Sequence, residues 1–533
     1  MKSLMKKVFA AAAAIATVFG LAATTVATAN AADNATLTVS TTDTKFAGKT
    51  VNAYKMFSAT VSSDGGAVSY TLTDGWKPFF MSSTLDGLTG VTDANVNDKA
   101  NEYVSKLTGK EKDLSAFAAK ASNWAQTNNI TADATATVSK NAATDGKYTA
   151  TFTNLDYGYY VVAVPGATVA DTNSQYAALV RVHSTSVDAE IKGALPTVDK
   201  KVQVNGTGKD ATDAKIGDTL TFTLTSTIPD MSAYNTYTFN FKDTLSKGLT
   251  FGQVTSVKVE GANSPLTVNT DYTVTTPTAS NNTLTVAMND FKNKQQANAG
   301  KKITVTYTAT LNENAVVGGA GNVNSAKIQY SNDPSTNGTG ESEPSKVRVF
   351  TYGFTVDKYT GDQYTDAATR LAGAKFTLAP KNGTAISFVQ VNAGSATANA
   401  VYRVAKAGET GTTTTITTPE NGKVDFQGLK NGEYTLTETE APAGYNKLAS
   451  AIGVKVDGRN DGTDTTNATV TITYNNDNGN DYNQTASNGV IPVRNKSGAI
   501  LPGTGGMGTI AFTVIGVLVI ALGVAWTLKR KNA

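Results

Sequence analysis

The 533-residue chain contains no cysteine and a single histidine, His183. Without cysteine there can be no disulfide, no thiol nucleophile and no thiolate zinc site. One histidine cannot build a His-rich metal site, and it makes a Ser-His-Asp triad implausible. No metal or other cofactor is expected. An excess of one charge is also missing: 46 Lys and Arg face 43 Asp and Glu, a formal net charge of +3. No basic cluster interleaved with aromatics is present, so nucleic acid is not an expected partner. Nothing marks a pair of carboxylates as a glycosidase site. The common hydrolases are therefore disfavoured before any motif is considered.

The two ends are the most informative segments. Lys2, Lys6 and Lys7 precede an Ala-rich apolar run from Val8, which is followed by Ala29-Asn30-Ala31. That order reads as a secretory signal peptide, residues 1–31, cut after Ala31. At the other end, Leu501-Pro502-Gly503-Thr504-Gly505 precedes an apolar run over 509–528 and then Lys529-Arg530-Lys531. A run of about 20 residues is long enough to cross a bilayer, with its basic tail on the cytoplasmic side. An exported chain usually has access to disulfides, so any cross-linking here must use other chemistry.

The stretch between the ends is too long for one hydrophobic core and suits three domains. It reads as all-β. Alternating segments such as Leu220–Thr225, Lys302–Thr308 and Ala468–Tyr474 recur between Gly, Asn and Asp turn signals, which is the pattern of half-buried strands in immunoglobulin-like sandwiches. Helix is expected around Asn97–Thr127, where Ala, Lys and Leu cluster. The expected layout is an N-terminal domain at 32–191 with some helix, a middle domain at 192–347, a C-terminal domain at 348–496 and a terminal signal at 497–533.

Side-chain parity adds a chemical argument. In Val187–Lys192 the apolar Val187, Ala189 and Ile191 share one face, so Lys192 points outward. In Val198–Val202 the pattern inverts, and Lys200 shares the apolar face. Lys358 does the same after Phe354 and Val356. A core-facing lysine is costly unless paired or neutralised. Inward amides lie on late strands of the same domains, Asn324 in the middle and Asn495 in the last, with Asn322 a weaker alternative to Asn324. Inward acids follow Phe239 and Phe241 (Asp243) and Tyr434 and Leu436 (Glu438). Burial disfavours the charged forms of amine and acid alike. A neutral amine can then attack the amide while the protonated acid polarises its carbonyl, releasing ammonia and leaving Lys200-Asn324 and Lys358-Asn495 isopeptide bonds. No comparable set appears in the first domain, where Tyr157-Gly-Tyr-Tyr160 reads as core and turn packing.

These residues also carry a family resemblance. Leu501–Gly505 with its span and tail resembles the LPxTG cell-wall sorting signal of Gram-positive bacteria. Tyr434-Thr-Leu-Thr-Glu438-Thr-Glu-Ala-Pro-Ala-Gly-Tyr445 resembles the E-box of sortase-assembled pilins, and Leu371–Phe376 resembles a strand signature of their collagen-adhesin B-type domain. The middle domain, with Phe241-Lys-Asp243 and Gly248–Phe251, is similar to the second domain of three-domain major pilins. The resemblance implies a shaft subunit of a covalent cell-wall pilus, with Asp243 and Glu438 promoting the two internal bonds. A sortase would join Thr504, after release of Gly505, to a lysine of the next subunit. Lys192 is that lysine by position and parity, although Ala189-Glu-Ile-Lys192 lacks the Tyr-Pro pair of the usual pilin motif. Implied partners are sortases, identical subunits, tip or base pilins and peptidoglycan. The competing expectation is a monomeric wall-anchored adhesin for host glycan or matrix protein, which shares the sandwiches but has no need of Lys192.

Overall fold

The computed structural model describes residues 34–61, 68–82, 85–107, 111–139, 146–167, 177–191, 195–232, 234–332, 338–366, 368–458, 469–475 and 482–498. Ala31, Lys192, the 501–505 pentapeptide with Thr504, and the apolar 509–528 run lie outside them. Among the described residues no helix is long and apolar enough to cross a membrane.

Period-two alternation produces strands with one wet and one dry face. In Lys302–Leu311 the odd-numbered Ile303, Val305, Tyr307, Ala309 and Leu311 are all fully buried, and the even positions are not. Such strands close on one another as three consecutive pairs of sheets.

In the first pair, Ala35–Thr41 lies between antiparallel Tyr148–Leu155 and parallel Ser186–Glu190. The opposing sheet is built on Thr50–Val61 and Gly158–Ala163. Gly158 is required there, because a Cβ would sit 2.4 Å from the Phe57 carbonyl oxygen. The helix expected around 97–127 is two helices, Val96–Leu107 and Glu111–Thr127. With the short helix Lys77–Met81 they enclose an aromatic cluster of Trp76, Phe79, Phe80 and Phe117.

The middle pair holds a five-stranded sheet, which includes Asp199–Val204, Thr219–Thr227 and Lys302–Leu311. Facing it is a seven-stranded sheet that includes Phe239–Leu245, Asn322–Ser331 and Ser345–Phe350. Ser345–Phe350 runs through residue 348, where the sequence placed a boundary, and pairs wholly within this middle group. The third pair begins with Tyr352–Thr360. That strand lies between antiparallel Lys423–Leu429 and the parallel strand Val490–Arg494. The sheet opposite carries Lys375–Pro380, Gly432–Glu440 and Ile452–Gly458.

The middle and third sandwiches touch directly. Asn431 N donates to Asp213 Oδ2 at 2.7 Å, and Ile216 N donates to Gly428 O at 3.0 Å. Gly428 has φ +84°, and a Cβ there would lie 2.6 Å from Ile216 Cδ1.

Candidate functional site: two buried lysine centres

Asp199–Val204 pairs with Thr219–Thr227 so that Lys200 faces Leu224, and the lysine ends up fully buried between the two middle sheets. On the facing sheet, Phe239–Leu245 runs antiparallel to Asn322–Ser331 with Leu245 opposite Asn324 and Asp243 opposite Ala326. Asp243 and Asn324 are thus diagonal neighbours on the inward face, and both are fully buried. Lys200 Nζ makes a close ion pair with Asp243 Oδ2.

Tyr307 completes this centre. Its hydroxyl accepts from Lys200 Nζ at 2.9 Å and from Asn324 Nδ2 at 2.6 Å, and donates to Asp243 Oδ2 at 2.6 Å. Its ring stacks on Phe222 with centroids 5.3 Å apart, and Lys200 Nζ lies 5.1 Å from each ring centre. Asp243 Oδ1 and Asn324 Oδ1 have no hydrogen-bond partner among the described residues. Burial pushes the Lys200 amine down from 10.5 to about 8, with the Asp243 carboxylate pulling the other way. Burial, and then the Asp243 charge, push the Tyr307 hydroxyl well above its ordinary value.

Sequence reasoning missed Tyr307, although its signal was available. Alternation in 302–308 turns Tyr307 inward, and a buried tyrosine hydroxyl needs a polar partner. The two amides that share parity are now separated. Asn322 Oδ1 accepts from Val316 N, and its Nδ2 donates to Val316 O and Val349 O, so its polar contacts are all with backbone. Asn324 is the amide that joins Lys200 and Asp243, through Tyr307.

The third centre uses the same residue types in another arrangement. Lys358 is opposite Val493 on the parallel strand, and Asn495 N donates to Tyr359 O at 3.0 Å, so lysine and amide come from side-by-side segments of one sheet. Glu438 comes from the opposing sheet. Its Oε1 lies 3.1 Å from Lys358 Nζ, and its Oε2 accepts from Asn495 Nδ2 at 2.9 Å. Leu448 N donates to the same Oε2 at 2.8 Å, and the Asn446 carbonyl receives a second bond from Asn495 Nδ2 at 2.9 Å. Lys358, Glu438 and Asn495 are buried, and Asn495 Oδ1 has no partner among the described residues.

In the first sandwich, the buried polar side chains among the described residues are Thr41, Asn101 and Ser122, none of them a lysine or an acid. Tyr159 and Tyr160 are buried, and Tyr160 donates its hydroxyl to Asp156 O at 2.9 Å. No cluster of three or more His, Cys, Asp or Glu suited to a metal occurs among the described residues.

Fold and centres together define a class: a chain of tandem β-sandwiches, two of which bury a lysine, an amide and a carboxyl in one contact network. Family comparisons then identify the modules. Residues 216–334 match the Gram-positive pilin backbone subunit 2, Cna-B-like domain. Residues 362–472 match a prealbumin-like fold domain. The trypsin-resistant surface T6 protein of Streptococcus pyogenes serotype M6 is 25% identical over 273 residues, which cover 48% of this chain and 44% of that relative. The match thus spans less than half of the relative's length. The T6 backbone pilin structure from serotype M6 Streptococcus pyogenes aligns over 81% of this chain and 84% of its own, at 20% identity and TM-score 0.45. The major pilin SpaD of Corynebacterium diphtheriae aligns over 78% and 88%, at 20% identity and TM-score 0.40. The middle and third sandwiches thus carry segments similar to a pilin-backbone domain and to a prealbumin-like domain.

Proposed function

We propose that this chain is the repeating shaft subunit of a covalent pilus on a Gram-positive cell surface. A sortase joins Thr504 of one subunit to Lys192 of the next, and the last subunit is passed to peptidoglycan. Within each subunit, Lys200 is bonded to Asn324 and Lys358 to Asn495, with Asp243 and Glu438 as promoting acids. The observation that carries this reading is the occurrence of two such centres in successive sandwiches. Burying two lysines and two acids is otherwise hard to reconcile with stability.

The proximity of amine, acid and amide in each centre supports the following chemistry. The lysine ammonium gives a proton to the neighbouring acid, and the free amine attacks the amide carbon. The protonated acid supplies the hydrogen-bond donor that the partnerless amide oxygens of Asn324 and Asn495 lack. The C–N bond breaks and ammonia departs. The fold supplies proximity and orientation, worth about 7–11 kcal/mol in well-aligned intramolecular reactions. Each bond closes a loop of more than 100 residues, and by analogy with disulfides this stabilises by about 4–5 kcal/mol through chain entropy.

The decisive experiment is a denaturing gel of wall extracts from cells expressing wild type or Lys192→Ala, blotted for this protein. A high-molecular-weight ladder in wild type that collapses to monomer in the variant is expected. A single wall-linked band in both would overturn the shaft role in favour of a monomeric adhesin.

A further inference from the structure

The two centres differ in how the acid meets the nitrogen that must leave. In the third, Glu438 reaches both reacting nitrogens itself, Lys358 Nζ through one oxygen and Asn495 Nδ2 through the other. In the middle, the acid is one methylene shorter. Asp243 is bonded to Lys200 Nζ through Oδ2, but the side-chain group that contacts Asn324 Nδ2 is the Tyr307 hydroxyl. That hydroxyl is also bonded to Lys200 Nζ and to Asp243 Oδ2. One oxygen therefore touches the nucleophile, the acid and the leaving group at once. We propose that Tyr307 is the catalytic proton relay of the middle centre, carrying a proton to Asn324 Nδ2 as that nitrogen leaves.

This inference rests on the proposed Lys200–Asn324 bond. In proton terms, the Lys200 ammonium first gives one proton to Asp243. Nζ then forms its bond to the Asn324 side-chain carbon, and the nitrogen that was Nδ2 becomes tetrahedral and basic. Tyr307 hands its hydroxyl proton to that nitrogen and takes a replacement from Nζ. The C–N bond breaks, and ammonia collects the Asp243 proton and departs as ammonium. Lys200 has then lost two protons and the leaving nitrogen has gained two, while Asp243 and Tyr307 return to their starting forms. The raised affinity of the buried Tyr307 oxygen for its proton keeps the phenol from remaining as an anion, as a relay requires.

The test uses the full chain recovered from inclusion bodies in urea, before it has folded or formed either bond, and folded by dilution, with each bond followed separately by mass spectrometry of proteolytic fragments. Absence of a Lys200–Asn324 linked peptide from wild type would overturn the bond itself, and the relay with it. Given the bond, Tyr307→Phe, which keeps the ring against Phe222, is expected to slow its formation by about 100-fold or more. The Lys358–Asn495 bond in the same molecules should form at its wild-type rate. Adding Asp243→Glu to Tyr307→Phe should recover part of the lost rate, because the longer acid brings a second oxygen toward Asn324. A tyrosine that only packs would allow no such rescue. An unchanged middle rate in Tyr307→Phe, or a slowed rate that Asp243→Glu does not improve, overturns the relay while the bond stands. If Tyr307→Phe fails to reach native circular dichroism, the first folding of unlinked wild type in mixtures of light and heavy water decides. A curved dependence of rate on deuterium fraction marks two protons in flight and supports the relay, and a straight line overturns it.

Discussion

A lysine amine cut off from water holds its proton weakly, and at Lys200 the burial effect outweighs the attraction of Asp243, leaving the amine at about 8. The folded value lies below the ordinary 10.5, so over that interval the unfolded chain binds more protons than the folded one. The contribution of Lys200 to the unlinked fold is therefore most favourable above 10.5 and is lost as pH falls to about 8. The same titration governs reactivity, because only the free amine attacks. When never-folded, unlinked chain is folded across a pH series from about 6 to 9, the rate of the middle bond should rise about tenfold per unit and level off above about 8. A flat profile read by mass spectrometry would count against Lys200 as the nucleophile. Glu438→Ala should leave the third sandwich unlinked and about 17 Da heavier than the linked form once the substitution is allowed for. Ammonia loss unchanged by the substitution would remove Glu438 from the chemistry.

Strands show why some of this could be read from the sequence and some could not. Parity is a local property, so the inward turn of Lys200, Asp243, Asn324, Lys358, Glu438 and Asn495 is written in their immediate neighbours. What each side chain meets depends on the other sheet. Asn322 and Asn324 have identical parity, and only the nearby Val316 and Val349 backbone sets them apart. Asp357 breaks the rule from the other side: it lies on the outward face, yet it is fully buried. The segment after its strand folds back, bringing Arg370 Nε within 2.6 Å and the Tyr364 hydroxyl within 2.8 Å. Alternation within one strand cannot foresee that cover. Close approach between elements gives a further prediction. A Cβ at Gly458 would lie 2.0 Å from the ring of Tyr352, which is fully buried. Gly458→Ala should destabilise the third sandwich by about 1–3 kcal/mol, measured by thermal unfolding in a Glu438→Ala background, where the unlinked sandwich can unfold completely.

Across the whole molecule the two proposed bonds would divide the load differently. The middle one would join opposite sheets of its sandwich, and the third two parallel neighbouring strands of one sheet. Tension entering near residue 192 and leaving near 504 would pass from Lys200 to Asn324 and from Lys358 to Asn495, leaving the chain between each pair unloaded. In single-molecule pulling from those ends, wild type should lengthen little. Glu438→Ala should release residues 359–494, about 450 Å of extra extension at ~3.3 Å per residue. Equal lengthening of wild type and variant would place the third bond outside the force path.

The middle centre draws its parts from positions 200, 243, 307 and 324, which meet only after both sheets have closed. Once ammonia has escaped, the link cannot reverse when the sheets come apart. A heated molecule would therefore carry a record of its former pairing, with one long-range contact still tied. The search back to the fold starts with that loop already closed, the step that ordinarily slows proteins rich in distant contacts. A mature subunit would thus regain its shape faster than it first acquired it.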